Sequence, residues 1–209
     1  NLSLQVEHAG SLLNRLANTS AITWPQNASA GQISYADSDI AFSRLSGATL
    51  DGAYLDANIV LVAQSSQLDG ANFNGLTCSG TCVADIGGAV SFAYGRATLI
   101  NNYGGADEAL LLPMRTQYWD GNNWRINSYD SCSGFEHDNV NDNSGELVSS
   151  ENGNLSEGAY EVGTGMRVSS PNGAGNYPVT YTPDAWLLWD WDGDGQADNP
   201  PSATLTYGV

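Results

Sequence analysis

The sequence predicts an all-β protein: an antiparallel β-sandwich, or two β-sandwich subdomains in series, with long Asn- and Gly-rich loops. Three observations predict it. The 209 residues include 24 Gly, 20 Asn and 16 Asp, types that favour turns and disfavour helix interiors. Apolar residues come in short runs or alternate with polar ones, the period-2 signature of strands. Turn signals separate these runs, most plainly Asp120-Gly121-Asn122-Asn123 between Trp119 and Trp124, where Asp-Gly and Asn-Asn readily supply positive φ.

Taken in order, only residues 2–16 invite a helical reading. Leu4, His8, Leu12 and Leu16 recur at four-residue steps, but Ala9-Gly10-Ser11 interrupts them. Residues 33–45 mix apolar and polar positions irregularly. Residues 57–63 (Ala-Asn-Ile-Val-Leu-Val-Ala) are a β-branched run bounded by polar residues, as a buried strand should be. Residues 90–100 alternate, which puts Val90, Phe92, Tyr94, Arg96, Thr98 and Ile100 on one face of a strand. Residues 110–119 and 124–126 form the arms of the hairpin. Residues 130–175 are rich in Asn, Gly, Ser and Glu and read as a long loop region or loosely paired strands. Residues 185–191 and 203–207 close the chain as strands. Three segments within residues 48–75 look like pentapeptide repeats, Ala-Thr-Leu-Asp-Gly, Ala-Tyr-Leu-Asp-Ala and Ala-Asn-Phe-Asn-Gly. Only the first two are in phase, too few to build a solenoid, so they read as coincidence.

Charge narrows the function classes. Six Arg and no Lys stand against 23 acidic residues, a net charge of -17. Such a chain repels polyphosphate, which disfavours nucleic acid and anionic bilayers as partners. No apolar run reaches the roughly 18 residues of a membrane span. The N-terminus carries no signal-peptide core, so the protein is either soluble where made or follows a removed segment. Cys78 and Cys82 flank a short flexible loop, and a disulfide is the favoured reading. Free thiols, or a metal site with Cys132 and His8 or His137, are the alternatives. A Lys-free, Asp- and Asn-rich chain with a disulfide reads as exported, extracellular or at the cell surface.

The sharpest local motif runs from Asp190 to Asp198. Asp190, Asp192 and Asp194 stand at positions 1, 3 and 5, Gly195 at 6, Gln196 at 7 and Asp198 at 9. Carboxylates at alternate positions can converge on one hard cation, the Gly permits the sharp turn, and the Gln196 carbonyl adds a ligand. This is the first half of an EF-hand-type calcium loop. Position 12 is Pro201 rather than Glu, and the flanks read as strands, so the expectation is a structural calcium loop between strands. A polar turn is the bland alternative. Residues 138–146 are a second oxygen-rich stretch that fits no loop template and reads as solvated.

Enzyme signatures are scarce: no Gly-x-Ser-x-Gly, no His-Glu-x-x-His and no phosphate loop occurs. His137 beside Glu136 and Asp138 reads as a surface histidine. A glycoside hydrolase needs only two carboxylates roughly 5–9.5 Å apart, and the sequence singles out no pair. Tyr118, Trp119, Trp124, Trp186, Trp189 and Trp191 cluster around the hairpin and the Asp loop. Strand aromatics usually pack cores. The other reading makes Tyr118, Trp119, Trp124 and Trp191 a platform for sugar rings.

Tyr94-Gly95-Arg96 followed by Tyr118-Trp119-Asp120-Gly121, then Asn127-x-x-Asp130-Ser131-Cys132, resembles the C-terminal domain of MSHA (mannose-sensitive haemagglutinin) pilus biogenesis proteins of the MshQ type. Trp191-Asp192-Gly193-Asp194-Gly195, Asn199-Pro200 and Tyr207-Gly208-Val209 fit the end of that pattern. The resemblance spans about residues 90–209, and it implies a C-terminal β-sandwich there after a β-rich N-terminal region, residues 1–89. It also implies a non-enzymatic bacterial envelope or surface protein linked to pili and adhesion, with other pilus or cell-surface proteins as partners. The family's domain runs on past Tyr-Gly into a further strand. The resemblance therefore predicts an unpaired edge that another chain could fill. The Cys78–Cys82 pair is not part of the family's pattern and leaves the partner of Cys132 open. A calcium-dependent, lectin-like carbohydrate-binding module is the alternative function.

Overall fold

The computed structural model describes residues 2–17, 19, 40–64, 77–142, 149–160, 164–169 and 173–208. The third pentapeptide-like segment, part of residues 33–45 and part of the second oxygen-rich stretch lie outside them. Within the described residues the protein is nearly all β, with mostly antiparallel strands in several small sheets and no α-helix. Among the described residues no helix is long and apolar enough to cross a membrane. The chain clusters into two compact units: residues 1–44 with 53–93, and residues 45–52 with 94–209.

The first unit is built on β1 (Leu2–His8), β2 (Ser11–Leu13), β3 (Leu16–Ala17), β4 (Ala41–Phe42), β5 (Tyr54–Gln64), β6 (Thr77–Ser79), β7 (Thr81–Asp85) and β8 (Val90–Phe92). The four-residue periodicity near the N-terminus does not make a helix. Ala9 (φ 50°) and Gly10 (φ 77°) form a two-residue turn with His8 opposite Ser11. Two successive positive φ values match the twist of paired strands, so turn chemistry overrides the spacing. Within β1, Leu4 and Val6 are buried, as alternation requires. β5 is the predicted apolar strand, flanked by β1 and β7, with Ala57, Val60, Val62 and Ala63 buried. A register shift between Tyr54 and Ala57, with Asp56 at φ 55°, moves its first residues onto β8.

Cys78 and Cys82 face each other across the β6–β7 hairpin and form a disulfide. Cys132 is free and exposed. The bridge closes a very short loop, so it removes little entropy from the unfolded chain. Reduction is expected to cost about 2 kcal/mol, measured as a lowered urea midpoint by far-UV circular dichroism with reductant present. A cost above roughly twice that would mean the bridge does more than close its hairpin.

The second unit contains β9 (Gly95–Leu99), β10 (Asn102–Gly104), β11 (Leu110–Leu111), β12 (Met114–Trp119), β13 (Trp124–Ile126), β14 (Gly134–Phe135), β15 (Val140–Asn141), β16 (Ser149–Ser150), β17 (Gly153–Asn154), β18 (Arg167–Val168), β19 (Gly175–Tyr181) and β20 (Ser202–Tyr207). A four-stranded sheet runs β10-β20-β19-β15, and three-stranded sheets run β13-β12-β9 and β11-β18-β16. Their inner faces meet in a core that includes Leu112, Met114, Leu155, Met166, Val168, Val179, Tyr181, Leu205 and Tyr207. Each such side chain contributes about 1.5–3 kcal/mol by leaving water. The buried Tyr207 hydroxyl donates to Val168 O at 2.8 Å, which meets the requirement for a polar end inside a core.

Two expectations are corrected here. Residues 90–100 are not one strand: the run breaks into β8 and β9, which fall in different units. Within β9 Ala97 is fully buried while Arg96 and Thr98 are only partly so, and the buried Tyr94 lies just before the strand. Residues 185–191 are not a strand either. Ala185–Leu187 is a 3-10 turn in which Leu187 is buried and Trp186 is 60% exposed, followed by an isolated bridge at Trp189. Ala-Trp-Leu-Leu-Trp has no alternation, and Pro183 before it lacks the N–H that would continue a ladder. The resemblance predicts an unpaired edge, and among the described residues it is not the last strand: β20 pairs antiparallel with β19 and in parallel with β10, and the short β10 and β15 lie at the ends of this sheet.

Candidate functional site

The Asp loop hangs from a bridge in which Trp189 and Asn199 exchange backbone hydrogen bonds of 3.2 and 3.0 Å. Between them the carboxylates wind the backbone. Gly193 N–H donates to Asp190 Oδ1 at 2.7 Å and Gly195 N–H to Asp190 Oδ2 at 3.0 Å. Asp194 N–H donates to Asp192 Oδ1 at 3.2 Å, and Gln196 N–H to Asp194 Oδ1 at 2.7 Å. Gly193 and Gly195 take φ 80° and 87°, the region where glycine is favoured. As a result one carboxylate oxygen from each of Asp190, Asp192 and Asp194 lies within 4.8 Å of the others. Asp198 is exposed and outside this group. Residues 45–52 brace the loop: Ala48 N–H donates to Gly195 O at 2.9 Å, and a Cβ on Gly47 would stand 2.5 Å from that oxygen.

Trp189 and Trp191 flank Asp190 in sequence and carry the loop onto an aromatic cluster. The hairpin register sets Trp119 opposite Trp124, their rings 5.7 Å apart. Trp124 meets Trp189 edge-to-face at 5.0 Å, and Tyr94 packs on Trp189 at 5.6 Å. Arg96 lies among these rings, its guanidinium carbon 4.0 Å from the centre of Trp124, 5.0 Å from Trp191 and 5.8 Å from Trp189. Its Nε–H donates to Gln117 Oε1 at 2.9 Å. Burial lowers its pKa to about 10, so it stays charged at neutral pH.

Of the four predicted platform residues, Trp119, Trp124 and Trp191 share this cluster and Tyr118 does not. Thr116 and Met114 on β12 are buried, and Tyr118 shares their face by strand alternation. The tryptophans are neither sealed in the core nor fully presented: Trp119 and Trp124 are half-buried and Trp191 is 41% exposed. Sequence reasoning did not find Arg96, Gln117 or Tyr94 as neighbours of the tryptophans. The pairing that joins them, Arg96 opposite Gln117, is a register property.

The hairpin loop is held by one carboxylate. Arg125 donates to Asp120 Oδ2 at 2.8 Å, and the N–H groups of Asn123 and Asn122 donate to Oδ1 at 2.7 and 2.9 Å. Arg125 first, then the two backbone donors, lower the Asp120 pKa to about 2. Elsewhere a polar hollow of about 120 Å³ is lined by Gly134, Glu136, Asn139, Tyr181 and Asp184. His137 lies outside that lining, its ring bonded to Asn152 and Asp138.

A family model described as DUF6701, fourth domain, matches residues 93–209. No curated protein and no solved structure matches the chain.

Proposed function

The chain belongs through residues 93–209 to the DUF6701 fourth-domain family, and we propose that it is an exported, non-enzymatic module of the bacterial surface. In this reading it serves pilus-associated adhesion or assembly through a calcium-stabilised loop beside an aromatic face. The observation that carries the proposal is the convergence of Asp190, Asp192 and Asp194 next to Trp189 and Trp191. The Cys78–Cys82 disulfide supports an oxidising compartment. The motif order that resembles MshQ-type pilus biogenesis proteins supports the link to pili, with other surface proteins as partners.

Three converging carboxylates suit a hard cation, which takes six to eight oxygens. Asp190, Asp192 and Asp194 would hold it, with the Gln196 carbonyl and water making up the set; Asp198 would have to move in to join them. The cation would supply charge neutralisation and nothing catalytic. At a calcium concentration 100-fold above its dissociation constant, it would stabilise the fold by about 2.7 kcal/mol. A hydrolase has less support, since Asp120 and Asp130 are both shifted down, the wrong direction for a general acid.

Terbium luminescence tests the loop. The indoles of Trp189 and Trp191 should sensitise bound terbium, and calcium should displace it. The Asp192→Asn/Asp194→Asn variant, changed only at exposed positions, should abolish the signal. No terbium signal, with identical melting in calcium and in EDTA, would remove calcium from the proposal. A second reading, a calcium-dependent lectin-like module, is favoured by the exposure of Trp191. A glycan-array screen run in calcium and again in EDTA separates the two: calcium-dependent sugar binding selects the lectin, and no binding in either arm selects the assembly module.

A further inference from the structure

In a chain where 23 carboxylates outnumber six arginines, Arg96 pairs with no described carboxylate, whereas Arg125 pairs with Asp120 and Arg167 with Glu151. Only its Nε–H is engaged, by Gln117. Its two terminal nitrogens donate to no described acceptor, and neither is sealed from solvent. The same holds for the indole N–H groups of Trp119, Trp124 and Trp189. The aromatic side of this face therefore offers donors without partners, while the loop side offers acceptors, and Arg96 is partly desolvated against the indole rings. A guanidinium in that setting keeps an in-plane fork for an oxyanion and gains strength from the lowered dielectric.

Two other chemistries adjoin it. Trp191 leaves 41% of its surface exposed, and Asp192 and Asp194 offer exposed acceptors on the same loop. We propose that this face binds a carboxylate-bearing pyranose, a hexuronic acid residue within an otherwise neutral glycan. The carboxylate sits in the fork of Arg96, the ring C–H surface lies against the exposed part of Trp191, and the hydroxyls meet the loop carboxylates or the cation they hold. A net charge of -17 repels a polyanion, which is why one acidic residue rather than a polyuronate fits. The inference rests on the lectin-like reading and names its ligand class. A cation on the loop would cancel repulsion beside the carboxylate, so binding should be stronger in calcium than in EDTA.

The test is an NMR titration of the calcium-treated protein with methyl β-glucuronide, methyl β-glucoside and sodium acetate. Glucuronide should shift the Arg96 Nε–H and Trp191 indole signals saturably, with at least tenfold higher affinity than the other two. Arg96→Gln should lose at least tenfold in affinity, and Arg96→Lys, which keeps the charge but not the fork, should fall between. Trp191→Ala changes an exposed side chain and carries the test if Arg96→Gln fails to fold. Equal shifts from glucuronide and glucoside, equal shifts from acetate, no shifts at all, or full affinity in both Arg96→Gln and Trp191→Ala would overturn the proposal. Terbium read on the same samples keeps the two readings apart. Terbium binding without glucuronide binding sinks this inference alone, whereas Arg96-dependent glucuronide binding without terbium binding upholds it and removes the loop cation.

Discussion

Replacing Gly158 by Ala is expected to destabilise the second unit by about 3–5 kcal/mol, a large part of the roughly 5–15 kcal/mol that holds a domain folded. Two costs add. Gly158 sits at φ 76°, where an L side chain is strained. A Cβ there would also lie 2.5 Å from Asn127 O, 2.9 Å from its carbonyl carbon and 3.1 Å from its nitrogen. Those neighbours are backbone and cannot swing aside. The glycine is fixed from both ends as well, since its N–H donates to Asp130 O at 2.7 Å and its carbonyl accepts from Thr116 N–H at 2.8 Å. Gly121→Ala is the control: its φ is 99°, and a Cβ meets nothing within 4 Å. It should cost only the conformational part, about 1–2 kcal/mol. Urea denaturation followed by tryptophan fluorescence reads this unit, because Trp119, Trp124, Trp186, Trp189 and Trp191 all belong to it. Equal losses in the two variants would show that the close approach to Asn127 does not matter.

Asp130→Ala is expected to cost about 3–4 kcal/mol through the two buried donors it would strand, the Thr116 hydroxyl and the Ser133 N–H, at about 1–3 kcal/mol each. Asp130 is buried. Thr116 Oγ1–H donates to its Oδ2 at 2.7 Å, and Ser133 and Cys132 N–H donate to its Oδ1 at 2.9 and 3.2 Å. Thr116 is itself fully buried, so Ala leaves its hydroxyl without that acceptor. The pH dependence follows from the same contacts. Burial alone would raise the Asp130 pKa, but the bonds from Ser133, Thr116 and Cys132 outweigh it and hold the pKa below the ordinary value. A depressed folded pKa stabilises fully above the unfolded value of about 3.9 and is lost as pH falls through the folded one. The advantage of the wild type over Asp130→Asn should therefore be constant from about pH 5 to 7 and shrink below about pH 4. Parallel stability curves down to pH 2 would mean that the carboxylate is not the ionised partner.

The contacts of Gly158 and Asp130 involve much of the Asn127-x-x-Asp130-Ser131-Cys132 segment. Asn127 N–H donates to Thr116 O, Asp130 N–H to Asn127 O, and Glu157 N–H to Ser131 Oγ at 3.2 Å. Asn127, Asp130 and Ser131 thus tie β12 to residues 155–159, and their role is architectural. Cys132 joins them through its N–H, which donates to Asp130 Oδ1, and its thiol adds a 3.8 Å contact to the same oxygen.

What the sequence by itself determined is what depends on a few adjacent residues. Asp120-Gly121-Asn122-Asn123 makes the hairpin because Asp120 captures the N–H groups of its own loop. The Asp loop winds because Asp190, Asp192 and Asp194 each accept an N–H two to five residues ahead. The apolar run in β5 had to be buried whatever its neighbours were. What only the tertiary structure decided is what depends on partners far along the chain. Spacing alone offered residues 2–16 as a helix, and the pairing of β1 with β5 and β2 made them strands. Residues 185–191 have strand composition, but among the described residues their one ladder contact is the bridge between Trp189 and Asn199. Arg96 sits among tryptophans because β9 pairs with β12 in one register; a slip of one residue would turn it to the opposite face. Local hydrogen bonds are written in sequence neighbours, whereas register and burial are settled only when distant segments compete for the same partners.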